Sequence, residues 1–332
     1  MSRLRLSFAC WNYDRTRALL DGSVQADGID LNYLCLPVEE TFFRMARHRE
    51  FDVAEMSFSS YCVSLHKPDR PFVALPVYPS RFFRHSCIYV NANAGIREPK
   101  DLIGRRIASP EYQMTAPVWI RGILQDHYGV PVDNGGHSYF FGGEEEPGRI
   151  EKIKLDLPPH IKLQPIGPTQ TLSQMLADGE IDALYTARAP SSFTRGDGRV
   201  RRLFENYAEI ERAYWRDTGI FPIMHVIVMR RDVYEANRWI AQSLTKAFYA
   251  AQRNAYADLA ETAALKAMLP WLVAHVEEAR HEMGDDWWPY GLERNRKALE
   301  TFTRYHYEQG LSKRPLALDE LFAPESLEAF RI

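Results

Sequence analysis

Three stretches with strand periodicity, separated by two with helical periodicity, open the chain, and this order leaves few folds available. Leu4, Leu6, Phe8 and Cys10 alternate with Arg5, Ser7 and Ala9, the two-residue period of a strand. Asp14 then stands where a helix N-cap belongs, ahead of Arg15 to Leu20, and Gly22 stops that helix. Residues 29–36 predict a second strand. A helix over 39–48 carries an apolar stripe of Phe42, Phe43 and Met45, and a third strand over 51–56 runs into the polar Ser57-Phe58-Ser59-Ser60. Strand and helix in strict alternation point to a parallel α/β sheet, in which ligands gather beyond the carboxyl ends of the strands.

The same rhythm returns downstream. A short helix at Asp101-Leu102 leads into a strand at Ile107, a helix covers 115–128 with Gly129 as its stop, and a helix over 171–177 hands over to a strand over 181–185. Arg49-Glu50-Phe51-Asp52-Val53-Ala54 and Gly179-Glu180-Ile181-Asp182-Ala183-Leu184 share an acidic–apolar–Asp–apolar signature at a helix-to-strand junction. Two lobes, each an α/β unit, would produce such an echo. Strand-like stretches at 86–91 and 223–229 are the candidate crossovers, which puts one lobe at 1–88 plus 226–332 and the other at 89–225. Helical spacing dominates after 240, and the acidic run Glu144-Glu145-Glu146 reads as a solvated loop.

Several function classes drop out. With 41 basic and 44 acidic residues the net charge is −3, so neither nucleic acid nor an anionic membrane is expected as a partner. No apolar run reaches about 18 residues, the length of a membrane span. The opening residues lack an apolar leader, and the four scattered cysteines suit reduced thiols, so a cytoplasmic location is expected. Metalloprotease, nucleophile-elbow, P-loop and dinucleotide signatures are missing. No cofactor is announced, although a divalent metal is not excluded. A homo-oligomer is expected from size and class.

What chemistry remains must come from acids, bases and cations near predicted strand ends. Trp11 and Tyr13 follow the first strand, where they can stack on a planar ligand or simply pack. Ser57 and Ser59 end the third, where serines either donate to a carboxylate or turn the chain. Arg81-Phe82-Phe83-Arg84-His85 enters the first candidate crossover. Arginine forks hold carboxylates, and histidine moves protons near neutral pH. Pro110-Glu111-Tyr112-Gln113-Met114-Thr115 opens the helix over 115–128, whose free N–H groups suit an anion. Arg188 follows the second lobe's strand and faces the same predicted cleft, as does His225, a lone histidine in an apolar strand.

These phrases also carry a resemblance. Tyr13-Asp14-Arg15-Thr16-Arg17-Ala18-Leu19, Pro79-Ser80-Arg81-Phe82-Phe83-Arg84-His85-Ser86, Pro110 to Ala116, Trp119 to Leu124, Thr218 to His225 and Trp288 to Arg296 resemble the 4,5-dihydroxyphthalate decarboxylase family over almost the whole chain. The resemblance implies a two-lobed type II periplasmic-binding-protein-like fold with a ligand cleft between the lobes. It further implies loss of one carboxylate from 4,5-dihydroxyphthalate as CO₂, giving protocatechuate in aromatic catabolism. Direct CO₂ loss would leave an aryl carbanion with no orbital to accept its charge. Ring protonation driven by the para hydroxyl, followed by CO₂ loss, avoids it. On that chemistry His85 or Glu111 is the expected proton donor, and His225 binds or deprotonates a ring hydroxyl. Arg84 and Arg188 clamp the remaining carboxylate with help from Thr115, Ser57, Ser59 and Arg81, and Trp11, Tyr13 and Tyr112 supply wall. The alternatives are a non-catalytic binding protein for a small aromatic carboxylate and a decarboxylase of another hydroxylated aromatic acid.

Overall fold

The computed structural model describes residues 3–132 and 135–327. Four strands come first: β1 (Leu4–Cys10), β2 (Ile29–Cys35), β3 (Val53–Ser57) and β4 (Phe72–Arg81). Helices α1 (Asp14–Leu20), α2 (Val38–His48) and α3 (Phe58–Ser64) connect them. Six short strands follow: β5 (Ile88–Asn91), β6 (Arg106–Ser109), β7 (Ser138–Phe141), β8 (Leu163–Pro165), β9 (Ala183–Tyr185) and β10 (Val200–Arg202). The long helix α4 (Thr115–Tyr128) links β6 to β7, and β11 (Ile223–Arg230) precedes the C-terminal helices.

Two sheets result, ordered β2-β1-β3-β11-β4 and β10-β5-β9-β6-β7-β8. Their cores match: β2-β1-β3 and β7-β6-β9 are parallel, and each is continued by one antiparallel strand, β11 or β5. The sequence echo has a physical basis in this match. Asp52, just ahead of β3, accepts hydrogen bonds from the Ser7 backbone N–H and hydroxyl of neighbouring β1, both at 2.8 Å. Asp182, just ahead of β9, accepts from the Arg106 backbone N–H of neighbouring β6 at 2.9 Å and from its guanidinium. In both lobes one aspartate ties the start of the third strand to the first.

Residues 88–91 of the first candidate crossover and all of 223–229 form strands, but neither strand crosses between sheets. β5 pairs within the second sheet, and β11 pairs within the first from Ile223 onward. The crossings are the irregular and helical segments before β5 and between β10 and β11, because apolar runs become strands wherever a neighbour offers backbone partners. Arg81 pins both crossings. Buried at the end of β4, it donates to the Phe221 carbonyl at 2.9 Å, the Pro289 carbonyl at 2.7 Å and Asn295.

Helix α4 is buried along its first ten residues, wedged between β9, α3 and the helix Arg296–Glu308. Gly122 is required there, since a Cβ would lie 2.1 Å from the Tyr305 ring. Trp119 donates its indole N–H to the Ile223 carbonyl at 2.8 Å, which fixes the start of β11 against α4. The helix begins at Thr115 after an extended Met114, and α1 likewise begins at Asp14 itself, without a side-chain cap.

Candidate functional site

A cavity of about 410 Å³ lies where the carboxyl ends of the parallel strands of both sheets converge, a size suited to a small ligand. Trp11 and Tyr13 follow β1, Pro37 and Val38 follow β2, and Ser57 ends β3. Ser80 and Phe82 flank the end of β4, Pro110 follows β6, Glu144 follows β7 and Thr186 to Arg188 follow β9, all on its wall.

On the first-sheet wall the central group is His225. Register places it across from Ser57 of β3 on one side and Ser80 of β4 on the other. Its Nδ1 lies 2.5 Å from Oε1 of Glu55, a carboxylate with no exposed surface. Glu55 also accepts from the Tyr13 hydroxyl at 2.6 Å and the Trp11 backbone N–H at 3.1 Å. Burial pushes the Glu55 carboxyl up, but His225 and these donors more than offset it and hold the group below the usual carboxylate range. An ionised carboxylate can only accept, so Nδ1 carries the proton of this bond, and His225 itself lines the cavity. Phe42 packs edge-on against the imidazole at 4.8 Å. Behind Tyr13, the Arg15 guanidinium is sandwiched between the Tyr13 and Trp288 rings at 4.2 Å from each, so the late Trp288 segment buttresses the site from outside.

The hydroxyls of Ser57 and Thr115 meet at 2.8 Å, and Thr115 also accepts from the Ser59 backbone N–H at 3.0 Å. This joins β3 to the N-terminus of α4, whose first residues Thr115 and Ala116 face the cavity with the positive end of the helix dipole. Arg84 enters from the first crossing. It is buried, and its nearest polar partners are two sulfurs, Met224 Sδ at 3.1 Å and Cys87 Sγ at 3.5 Å, with Phe82 beneath the guanidinium at 4.7 Å. Among the described residues no carboxylate lies within ion-pair distance of it, and an arginine buried in this way needs an anion.

The opposite wall carries more charge. Arg149 and Lys152 line it, and both bind the buried Glu111, Arg149 at 2.6 Å and Lys152 at 2.8 Å. Glu39 of α2 reaches across to Arg149 at 3.2 Å and Arg188 at 3.5 Å, bridging the two lobes at the mouth. Glu144 accepts a hydrogen bond from the Thr186 hydroxyl, and burial raises its carboxyl to about 7 despite that bond.

Of the residues singled out from sequence, Trp11, Tyr13, Ser57, Arg84, Thr115, Arg188 and His225 share this cavity. The others stand behind it or away from it. His85 is buried in a box formed by Tyr128, Phe204 and Tyr214, with ring centroids 5.3 to 5.9 Å away and, among the described residues, no hydrogen-bond partner for either nitrogen. Burial, helped by nearby His127, lowers it to about 4. Glu111 lies one layer behind the wall. Burial pushes it up, but Lys152 and Arg149 reverse the effect and keep it ionised. Of the two residues expected to donate the proton, His85 does not line the cavity, and Glu111 is held as an anion behind its wall. Ser59 bonds to buried His306 at 3.0 Å, Tyr112 is a core residue whose hydroxyl reaches the Gln309 carbonyl at 3.2 Å, and Arg81 is the hinge pin described above.

Glu39, Glu55, Glu144, Arg149 and Lys152 complete the site. Glu144 corrects the reading of its acidic run as solvated, since only Glu145 and Glu146 are exposed. The available signal was position, because Phe140-Phe141-Gly142-Gly143 is a strand followed by a tight turn, and residues just beyond a parallel strand face the cleft. Among the described residues no group of three or more His, Cys, Asp or Glu side chains is placed to hold a metal ion, and no helix is long and apolar enough to cross a membrane.

Paired lobes with a cleft at their strand ends define a periplasmic-binding-protein fold, and solved structures agree. The aliphatic sulphonate binding protein SsuA of Escherichia coli superposes with a TM-score of 0.53 at 14% identity, covering 97% of this chain and 98% of that one. The sulfonate-binding protein SsuA of Methylobacillus flagellatus KT gives 0.52 at 16% identity, covering 98% and 93%. No family model matches the sequence. Over all 332 residues, and the full length of its relative, the chain is 43% identical to 4,5-dihydroxyphthalate decarboxylase of Comamonas testosteroni. It is 45% identical over 206 residues to that of Pseudomonas putida, covering 62% of this chain and 79% of that protein. The chain belongs to the 4,5-dihydroxyphthalate decarboxylase family.

Proposed function

We propose that this protein removes one carboxylate from 4,5-dihydroxyphthalate as CO₂ and releases protocatechuate, by protonating the ring and then losing CO₂. The family supplies the substrate, and the observation that carries the chemistry is a carboxylate-backed histidine, His225 on Glu55, facing a cavity lined with cations. The substrate is a dianion at neutral pH. Arg84, which has no carboxylate partner among the described residues, Arg149, Lys152, Arg188 and the N-terminus of α4 supply the opposing charge.

His225 Nε2 accepts the proton of the ring hydroxyl para to the departing carboxylate. The Glu55 carboxylate stabilises the imidazolium that forms, as in other histidine–carboxylate pairs. Phenolate electrons then drive protonation of the carbon bearing the carboxylate. The dienone that results has an orbital ready to receive the C–CO₂ electrons. The substrate's two-fold symmetry means either carboxylate can leave, so the cations need to fix the ring's orientation only. Trp11, Phe42 and Phe82 provide flat apolar surface for the ring and weaken hydration of the departing carboxylate.

We place this activity in the cytoplasm, a reading supported by four cysteines that stand as free thiols, three of them buried.

The test is to incubate purified, metal-stripped protein with 4,5-dihydroxyphthalate, with and without added divalent metal, and to follow CO₂ and protocatechuate. Turnover in the stripped sample is expected. Binding without turnover in both samples would overturn the enzyme reading in favour of a solute receptor.

A further inference from the structure

The reaction proposed above needs an acid over the ring, and we infer that Glu144 is that catalytic acid, delivering its proton to the ring carbon that loses CO₂. This assignment rests on the decarboxylase reading.

Two carboxyl groups line the cavity, Glu39 and Glu144. Glu39 is committed to ion pairs, one oxygen toward Arg149 and the other toward Arg188. Glu144 has no ion-pair partner within 4.0 Å among the described residues. Of the carboxyls behind the wall, Glu55 and Glu111 are held as anions by His225 and by Lys152 with Arg149, and Glu151, which burial raises to about 8, accepts from the Tyr112 backbone N–H and does not line the cavity. The Lys152 ammonium directs two of its three N–H groups at the Glu111 oxygens, and the Tyr13 hydroxyl directs its only proton at Glu55.

The backbone presents Glu144 deliberately. Gly143 leaves no room for a side chain, since a Cβ there would lie 1.6 Å from the Glu146 carbonyl. The Gly143 and Glu144 carbonyls accept from Leu172 N–H at 2.8 Å and Ser173 N–H at 3.0 Å, and Glu145 accepts from the Ser191 backbone N–H at 2.7 Å. A turn pinned on both sides holds the side chain against the cavity, on the wall opposite His225. The hydroxyl of Thr186 donates to Oε2. That leaves Oε2 as the carbonyl oxygen of a neutral carboxyl group and Oε1 as the oxygen free to carry a transferable proton.

Burial is the main influence that raises this carboxyl to about 7, and Glu145 adds to it. Thr186, Arg188 and Arg149 pull the other way. A large fraction of Glu144 is therefore neutral near neutral pH, the state a proton donor needs. In the step itself the Oε1–H bond breaks and a C–H bond forms at the carboxylate-bearing carbon, while the phenolate oxygen becomes the dienone carbonyl. The C–CO₂ bond then breaks, its electron pair restores the aromatic ring and the phenolate, and the His225 imidazolium returns the phenol proton. Solvent reprotonates Glu144, so each turnover consumes one proton and releases one CO₂.

The test compares wild type, Glu144→Gln and Thr186→Val in D₂O. Turnover of 4,5-dihydroxyphthalate is followed, and so is deuterium entry into protocatechuate at the ring carbon that had carried the departing carboxylate. Microscopic reversibility requires the same acid in both. Glu144→Gln is expected to lower kcat by at least about 100-fold with KM changed only a few-fold, to abolish the exchange, and to keep product binding by calorimetry. Wild-type kcat should fall on the alkaline side near the Glu144 value, and Thr186→Val, which removes a donor that favours the anion, should move that limb to higher pH. Glu144→Gln with near-wild-type kcat and exchange, or with KM alone raised, would overturn the assignment while leaving the decarboxylase intact. No turnover in the wild type would overturn both.

Discussion

His225 and Glu55 sit on β11 and β3, adjacent strands in register, and their hydrogen bond needs no loop to hold it. On the facing wall Glu144, Arg149 and Lys152 all come from the irregular chain between β7 and β8, held by a turn and by ion pairs to Glu111 and Glu39. The first wall is fixed by a sheet and the second by charge. A proton relay tolerates little misplacement, so a strand pair is the better support for it. Recognition of a dianion by Arg149 and Lys152 tolerates more, and salt bridges can adjust to it, whereas Glu144 on the same stretch is fixed by its own turn, pinned through Leu172, Ser173 and Ser191.

The sharpest way to break this comparison is to remove the strand-borne base. His225→Ala should lower kcat by roughly 10²–10⁴-fold with a much smaller change in KM, read from steady-state kinetics. A loss confined to KM would make His225 a binding residue and leave the first wall without a catalytic role. A smaller effect is expected at Arg84. Replacing it with Met removes one charge-assisted contact, worth about 1.5–3 kcal/mol, so KM should rise roughly 10- to 100-fold while kcat stays within a few-fold. An unchanged KM would mean that the cations of the second wall and the α4 N-terminus suffice to hold the substrate.

The smallest catalytic effect, none, is expected from His85→Phe, and here the readout is stability. Folding holds His85 near 4 against about 6.5 in the unfolded chain, so the unfolded state takes up its proton first as pH falls. The stability from a neutral His85 is complete above about pH 6.5 and is lost as pH drops through about 4, on the order of 3 kcal/mol in all. His306, lowered to about 3 chiefly by burial, adds a contribution of the same sign. The variant should therefore lose less of its urea midpoint than wild type between about pH 7.5 and about pH 5, with turnover unchanged. An equal loss in both proteins would show that His85 does not resist protonation in the fold.

His85 and His225 also mark how far residue chemistry could be read without a fold. Both lie near predicted lobe junctions, and both were candidates for the same kind of work. The neighbours that separate them are remote in sequence. Glu55, which orients His225, is 170 residues away, and Phe204 and Tyr214, which help to enclose His85, come from the return crossing. Flanking residues carry no trace of either environment. The same holds for Arg84 and Arg81, three residues apart: one faces the cavity and the other pins a hinge, because the chain turns between them at the end of β4.

By itself the sequence determined the α/β alternation, the paired lobes and the cleft at the strand ends, because strand and helix periods are local properties of a chain. It also determined Trp11, Tyr13, Ser57, Thr115, Arg188 and His225 as cleft residues, since each follows or closes a recognisable element. Tertiary structure alone decided which acids are pushed toward the neutral form and which are locked as anions. Glu111 was singled out and proves to be an ionised strut, whereas Glu144 lay in a run that reads as solvent-exposed and proves to be the carboxyl on the cavity wall without an ion-pair partner among the described residues. The reason is that a carboxyl's protonation state depends on burial and on the charges packed against it, and both are set by contacts between residues that the chain keeps far apart.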